Sequence, residues 1–364
     1  MIEALPGWLH PALDALFAQR SAGRLHHALL IHGPRGVGKA LLAEHLIRGL
    51  LCKQPDAQGH ACGQCAPCKL YLVGNHPDAR LVEPEIEHRQ YAPYVNAIAQ
   101  DDPDRKADTP RKQRLISIGQ IRQLNDFLVT KSQFGGWRIG VIAPAEAMNV
   151  NAANSLLKTL EEPGGNTLLM LLSERPSALP ATVRSRCRSL PVAAPAHAEA
   201  RAWLKALHPE EDVDQALALA GGAPLAAAMM LDDGRLNLHG QALTELEQLL
   251  RGRIEPIALA ERWSKTGAHI YVGFMQSWLV DMIRMRSGGI GAANGFATRL
   301  QALAQGLDLR DLYQRLDAVS EARRLLDRSI SLQALLEDLL LAWMPPPRHR
   351  KGGPDVVRAS LIPR

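Results

Sequence analysis

The segment Gly33-Pro34-Arg35-Gly36-Val37-Gly38-Lys39-Ala40 has the residue types and spacing of a phosphate-binding loop, complete except at its last position. Its glycines let backbone N–H groups turn toward phosphate oxygens, and Lys39 would carry a point charge to the β and γ oxygens. After the lysine such a loop needs a hydroxyl to ligate Mg²⁺. Ala40 offers none. Hydrolysis also needs a carboxylate at the end of a neighbouring strand, to hold the metal, and a second one to activate water. The apolar run Ile139 to Ile142 is the strand that could supply them, and it leads into Ala143-Pro144, which can neither ligate a metal nor accept a proton. Glu146 is close in sequence but lies beyond the strand end. Gly33, Gly36, Gly38 and Lys39 are therefore a candidate cofactor site with ATP occupancy left open, and hydrolysis by this chain alone is not expected.

A second chemistry is written in the cysteines. Cys52, Cys62, Cys65 and Cys68 follow the pattern C-x9-C-x2-C-x2-C. Two short C-x2-C turns place three sulfurs around one point, and four thiolates hold Zn²⁺ tetrahedrally. A four-thiolate site is closed to substrate, so its role is structural. His32, His60 and His76 lie near these sites and are not taken as ligands, the four-cysteine set being complete. The fifth cysteine, Cys187, reads as a small buried hydrophobe. It belongs to Ser185-Arg186-Cys187, where an arginine displayed after a short helix could reach a neighbour's γ-phosphate. Physics alone favours a solubilising surface role for Arg186.

These residues need elements to position them. The apolar stretch Ala28-Leu29-Leu30-Ile31 before the loop and the helical spacing of Leu41, Leu42 and Leu46 after it form the strand–loop–helix context of a phosphate loop. A helix precedes them over Pro11 to Ser21, and the loop helix runs to about Leu51. Short apolar runs at Arg80 to Val82, Arg138 to Ala143 and Thr167 to Ser173 read as strands of a parallel sheet covered on both faces. Between them, Ser117 and Gln120 form a capping box ahead of an apolar face at Ile118, Ile121, Leu124 and Leu128. Asn149 or Asn151 caps a further helix that ends at Pro163-Gly164-Gly165. Strands alternating with helices predict a doubly wound α/β domain. After Pro191 the strand signal vanishes, and the rest is helical, with apolar residues three and four apart such as Ile270, Phe274, Leu279 and Ile283. Residues 83–114 read as a polar, partly disordered surface insertion, and residues 345–364 as a basic disordered tail.

The bulk numbers exclude several classes. At 364 residues the chain should hold more than one domain, and no apolar run reaches the roughly 20 residues of a membrane span. The N-terminus lacks a secretory pattern, so a cytoplasmic location with no membrane contact is expected. A net charge of +5 is compatible with nucleic acid nearby, whereas 4% aromatic content argues against a base-stacking surface.

Leu156-Leu157-Lys158-Thr159-Leu160-Glu161-Glu162-Pro163, followed after an apolar strand by Ser185-Arg186-Cys187, resembles the clamp-loader AAA+ proteins. That family includes the bacterial DNA polymerase III gamma/tau and delta-prime subunits and the replication factor C small subunits. Ala143-Pro144, His26-His27 before the first strand, and Gly74-Asn75-His76-Pro77-Asp78 resemble the delta-prime branch. The resemblance is strong over residues 1–192 and architectural beyond them. It implies a RecA-like AAA+ domain of α/β class with a zinc insert (residues 1–192, the zinc module at 52–68), a small helical lid (193–236) and an all-α collar domain (237–344). It further implies structural zinc at the four cysteines, and Arg186 acting in trans on ATP held by an adjacent gamma/tau subunit. The implied partners are gamma/tau and delta in a hetero-oligomeric ring, with the sliding clamp and primed DNA met through the complex. The chain itself would have neither ATPase nor polymerase activity. Two features depart from the family: the length of 83–114, and Leu225, which stands where ATP-using relatives place a nucleotide-sensing arginine. The rival readings are an active gamma/tau-like ATPase and a zinc-dependent DNA-binding protein with a decayed nucleotide site.

Overall fold

A computed structural model of the chain describes residues 4–84, 96–97, 115–289, 296–326 and 331–344. The basic tail and all but four residues of the 83–114 insertion lie outside the described residues. The chain divides into two compact units, one ending at Asp233 and the other beginning at Gly234.

The first unit runs α1 (His10–Ser21), β1 (Ala28–His32), α2 (Lys39–Leu51), α3 (Ala66–Leu72), β2 (Ala79–Val82), β3 (Asn96–Ala97), α4 (Ile118–Val129), β4 (Arg138–Ile142), α5 (Val150–Glu161), β5 (Thr167–Ser173), α6 (Ala181–Arg184) and β6 (Arg188–Pro191). Among the described residues the strands form one sheet in the order β3-β2-β4-β5-β1-β6, and every pairing is parallel. Side chains alternate between faces along a strand. Leu29, Ile31, Leu168, Met170 and Leu172 accordingly pack with α1 and α2 on one face. Ala28, Leu30, Leu169 and Leu171 pack with α4 and α5 on the other. Burial on both faces is why the central strands read as continuous apolar runs rather than alternating ones.

The caps form as the residue types predict. The Ser117 hydroxyl accepts from the Gln120 amide at 3.3 Å, and the Gln120 side chain accepts from the Ser117 amide at 3.0 Å. At the next helix Asn149, not Asn151, accepts from the Ala152 amide at 2.8 Å. Two edge strands are additions to the sequence reading. Within the insertion read as partly disordered, Asn96 and Ala97 pair with Arg80 and Leu81, covering the open backbone edge of β2. On the opposite side β6 pairs with β1, although its residues are mostly exposed and carry no apolar period.

Asp78, at the start of β2, is fully buried and organises the entry to β4. It accepts from the Ser132 hydroxyl, the amides of Gln133 and Phe134, and Arg138 Nη1 at 2.8 Å. Burial alone would push this carboxyl up, but the Gln133 amide, Ser132 hydroxyl, Phe134 amide and Arg138 guanidinium together hold it below the usual carboxylate range. Arg138 in turn lies 4.1 Å over the Phe127 ring.

The first unit closes with α7 (His197–Leu207), α8 (Val213–Leu219) and α9 (Pro224–Asp232), packed through small residues such as Ala200, Ala216, Ala227 and Ala228 around Leu204 and Leu217. The second unit is helical throughout its described residues: α10 (Arg235–Leu250), α11 (Pro256–Arg286), α12 (Ala297–Ala304), α13 (Leu309–Leu325) and α14 (Leu332–Trp343). Its core holds Trp263 stacked on Tyr271 at 4.4 Å, with Trp278, Leu279 and Leu336 fully buried. Among the described residues no single helix is long and apolar enough to cross a membrane.

Candidate functional site

The loop leaves the carboxyl end of β1 and enters α2 through Gly38, a left-handed residue with φ of 105°. The three glycines of the loop are backed closely by the rest of the chain. A Cβ on Gly33 would lie 2.0 Å from the Val192 carbonyl oxygen, one on Gly36 2.4 Å from the Ala226 Cβ, and one on Gly38 2.5 Å from Leu9 Cδ1. The Leu225 amide, in the first turn of α9, donates to the Gly36 carbonyl at 3.0 Å. Trp8 Nε1 donates to the Val37 carbonyl at 2.9 Å, and its ring meets Trp203 of α7 edge-on at 5.3 Å. Lys39 is 5% exposed, and its Nζ donates to the loop's own carbonyls at Gly33 (2.8 Å) and Pro34 (2.7 Å). Burial depresses this ammonium below the usual lysine range, an effect partly offset by Glu174 and Glu146.

Ala40 is half-buried against the core, and Ala143 at the end of β4 is fully buried. Glu146, the remaining candidate for a catalytic base, turns Oε1 onto the amides of Glu174 at 3.0 Å and Arg175 at 3.2 Å. It therefore ties down the chain after β5.

The four predicted metal ligands come together. Their sulfurs lie within 4.8 Å of one another, with Cys52 Sγ 3.5 Å from Cys62 Sγ and 3.9 Å from Cys65 Sγ. A tetrahedron with metal–sulfur bonds of about 2.3 Å has sulfur–sulfur edges of about 3.8 Å, whereas a disulfide needs about 2 Å. Amides also point at the sulfurs: Gln54 and Cys62 donate to Cys52 Sγ, and Cys65 donates to Cys62 Sγ. The backbone amides of Gln64 and Cys65 bring the Cys62 thiol down to about 6, while burial pushes Cys52 and Cys68 up. Four sulfurs this close cannot all ionise beside one another without a cation among them, so the donor set fits a metal ion of the zinc type. Cys52 caps the far end of α2 from Lys39, about 20 Å away at 1.5 Å per residue, so the cluster takes no part in phosphate chemistry. His60 and His76 contribute no ligand: His60 packs edge-on against Phe17, and buried His76 accepts from the Asp78 amide.

Arg186 follows α6, and its side chain is 35% exposed. Nε donates to Glu161 Oε1 at 2.8 Å, Nη2 lies 2.5 Å from the same oxygen, and Nη1 donates to the Thr182 carbonyl at 3.0 Å. Cys187 is partly buried against the α4–α5 core, and burial raises its thiol to about 11.

The family described as DNA polymerase III, delta subunit, matches residues 9–196, and its C-terminal counterpart matches residues 234–344. The DNA polymerase III subunit delta' of Pseudomonas aeruginosa is 35% identical over 350 residues, covering 92% of this chain and 97% of its own. The chain belongs to the DNA polymerase III delta-prime family. Subunit delta' of Yersinia pestis is 32% identical, covering 92% of this chain and 94% of its own, and that of Escherichia coli is 31% identical, covering 92% and 93%. Among solved structures, a DNA polymerase III gamma subunit-related protein from Thermotoga maritima aligns over 92% of this chain and 98% of its own, at 15% identity and a TM-score of 0.43.

Several residues that shape the site in this delta-prime family member escaped the sequence reading. Glu161 was read only as part of a motif, and nothing local pairs it with Arg186. Trp8, Val192 and Ala226 seal the loop across long stretches of chain. His27, quoted above only as part of a motif, has Nε2 within 2.8 Å of the Leu160 carbonyl and anchors the end of α5.

Proposed function

We propose that this chain is a non-hydrolysing, delta-prime-type subunit of a bacterial clamp loader, which holds no nucleotide of its own and presents Arg186 to ATP bound by an adjacent gamma/tau-type subunit. One observation carries the reading. Lys39, the group that would neutralise phosphate charge, is buried with two of its three donors on the carbonyls of Gly33 and Pro34, while Arg186 reaches the surface with two of its five donors free. The absence of an acidic pair after β4 and the backbone role of Glu146 support it from the side of chemistry. In this reading residues 1–192 form the AAA+ domain with zinc at Cys52, Cys62, Cys65 and Cys68, residues 193–236 the lid, and residues 237–344 the collar. Gamma/tau and delta are the partners, and the sliding clamp and primed DNA are met through the assembled ring.

An arginine placed on a neighbour's γ-phosphate stabilises charge that develops in the transition state, and such contacts are worth about 10³–10⁵ in rate at the site they serve. The test is clamp- and DNA-stimulated ATP hydrolysis by the chain mixed with gamma/tau and delta. Arg186→Ala should lose turnover at the facing site while the ring still assembles. Unchanged turnover in the mutant would sink the trans-arginine role.

A further inference from the structure

We propose that Glu161 is the positioning residue for Arg186, a role that rests on the trans-arginine reading above. A free arginine side chain on a surface samples many rotamers, and holding one of them is an entropic cost that catalysis must otherwise meet at each encounter. Arg186 is held from two sides. Glu161 Oε1 takes both Nε–H and Nη2–H along one edge of the guanidinium, at 2.8 and 2.5 Å. The Thr182 carbonyl, one helical turn back, takes Nη1–H at 3.0 Å.

A guanidinium has five N–H donors in a planar fork. Three are engaged here, which leaves one hydrogen on each terminal nitrogen. Because Nε–H and the syn Nη2–H are both directed at Glu161, the remaining Nη2–H lies at the tip of the side chain. That hydrogen is placed to meet a phosphate oxygen. Glu161 thus occupies the edge the reaction does not use, and fixes the direction of the one it does.

Its own placement is rigid. Glu161 is the last residue of α5, and the preceding carbonyl, at Leu160, is bonded to the His27 ring at 2.8 Å. Thr159, in the same turn, donates to Asn125 of α4 at 2.9 Å. The helix C-terminus adds its partial negative charge to that of the carboxylate, favouring the arginine there.

The magnitude is bounded by exposure. The Glu161 side chain is 51% exposed, so solvent screens the pair. Loss of Glu161 should cost up to about fivefold in rate, equivalent to about 1 kcal/mol at tenfold per 1.36 kcal/mol, the upper end for an exposed ion pair.

The experiment is a double-mutant cycle in the assembled complex, with clamp, primed DNA and ATP, read as single-turnover hydrolysis. Glu161→Ala should lower the rate constant up to about fivefold, leave the ATP concentration at half-saturation unchanged and lower the melting temperature of the chain by no more than about 4 °C. Glu161→Gln, which keeps an acceptor oxygen in place, should recover most of the rate. In an Arg186→Ala background Glu161→Ala should have no further effect, because the two act as one unit. A faster Glu161→Ala enzyme would show that the carboxylate restrains the arginine instead of aiming it, and would overturn the proposal. So would a Glu161 effect that persists in full without Arg186. An Arg186→Ala loss with no Glu161→Ala effect removes only the positioning role, whereas an Arg186→Ala variant with normal turnover removes the underlying reading and this one with it.

Discussion

Gly36→Ala separates a loop built for phosphate from a loop built to hold a helix. Gly36 has φ of +80°, and an added Cβ would lie 2.4 Å from Ala226 Cβ, 2.5 Å from Ala226 N and 2.9 Å from Ala226 Cα. Real Cβ atoms essentially never approach so closely, and two of the three atoms are backbone that cannot rotate away. The first turn of α9 must therefore lift, and the Leu225 amide loses its bond to the Gly36 carbonyl. The left-handed backbone costs about 1–2 kcal/mol, the lost hydrogen bond about 1 kcal/mol and the overpacking about 1–3 kcal/mol. The sum is roughly 3–6 kcal/mol, and at about 2–4 °C per kcal/mol the melting point should fall by roughly 6–24 °C. Gly135→Ala is the control, because Gly135 has φ of +66° with nothing within 4 Å of an added Cβ. It should show only the backbone cost of about 1–2 kcal/mol. The assay is thermal unfolding of the full chain followed by tryptophan fluorescence, in which Trp8 and Trp203 report on this joint. If the two alanine variants melt together, α9 does not sit on the loop and the reasoning is wrong.

Other outcomes follow from the same geometry. Protein purified under reducing conditions should carry one zinc per chain, and Cys62→Ser should release it and lower the melting point by on the order of 5–10 °C; metal-free wild-type protein would refute the four-thiolate assignment. Asp78→Ala should cost about 3–5 kcal/mol in urea unfolding, because Arg138 would stay buried without its carboxylate. A cost below about 1 kcal/mol would contradict that account. His239 accepts from Trp278 Nε1 at 2.7 Å within a ring of aromatics, and burial, aided by Arg299, lowers it from 6.5 to about 4. The unfolded chain then binds the proton first, so this contribution to stability is full above pH 6.5 and is lost as pH falls toward 4, by on the order of 2 kcal/mol at pH 5. His239→Gln keeps an acceptor but does not titrate, and should show a flatter stability profile across that window; identical slopes would refute the assignment.

What was legible in the sequence was what is local. The loop, the cysteine cluster and the Ser185-Arg186-Cys187 motif are contiguous runs whose spacing alone fixes their geometry. The capping box at Ser117 and the buried strand at Thr167 to Ser173 were equally readable, because each rests on one short period. Contacts between distant segments were not. The loop's lesion at Ala40 was visible, yet the close packing of Val192, Ala226 and Leu9 behind its glycines was not, because none of them carries a motif. Strand β6 was hidden because a strand placed by pairing with β1 needs no apolar pattern of its own. Glu161 was in view inside Leu-Lys-Thr-Leu-Glu-Glu-Pro, but its partner lies 25 residues away, across a strand and a turn.

If the loop at Gly33 to Lys39 serves as a joint between β1, α2 and α9, the chain should carry no nucleotide of its own. Equilibrium binding of a labelled ATP analogue to the full chain, with Mg²⁺ present, tests it most directly. Lys39 already donates to the Gly33 and Pro34 carbonyls, and the first turn of α9 is bonded to the Gly36 carbonyl. No saturable binding is expected up to about 1 mM, a free energy no better than about −4 kcal/mol. Saturable binding at micromolar concentration, abolished by Lys39→Ala, would contradict it.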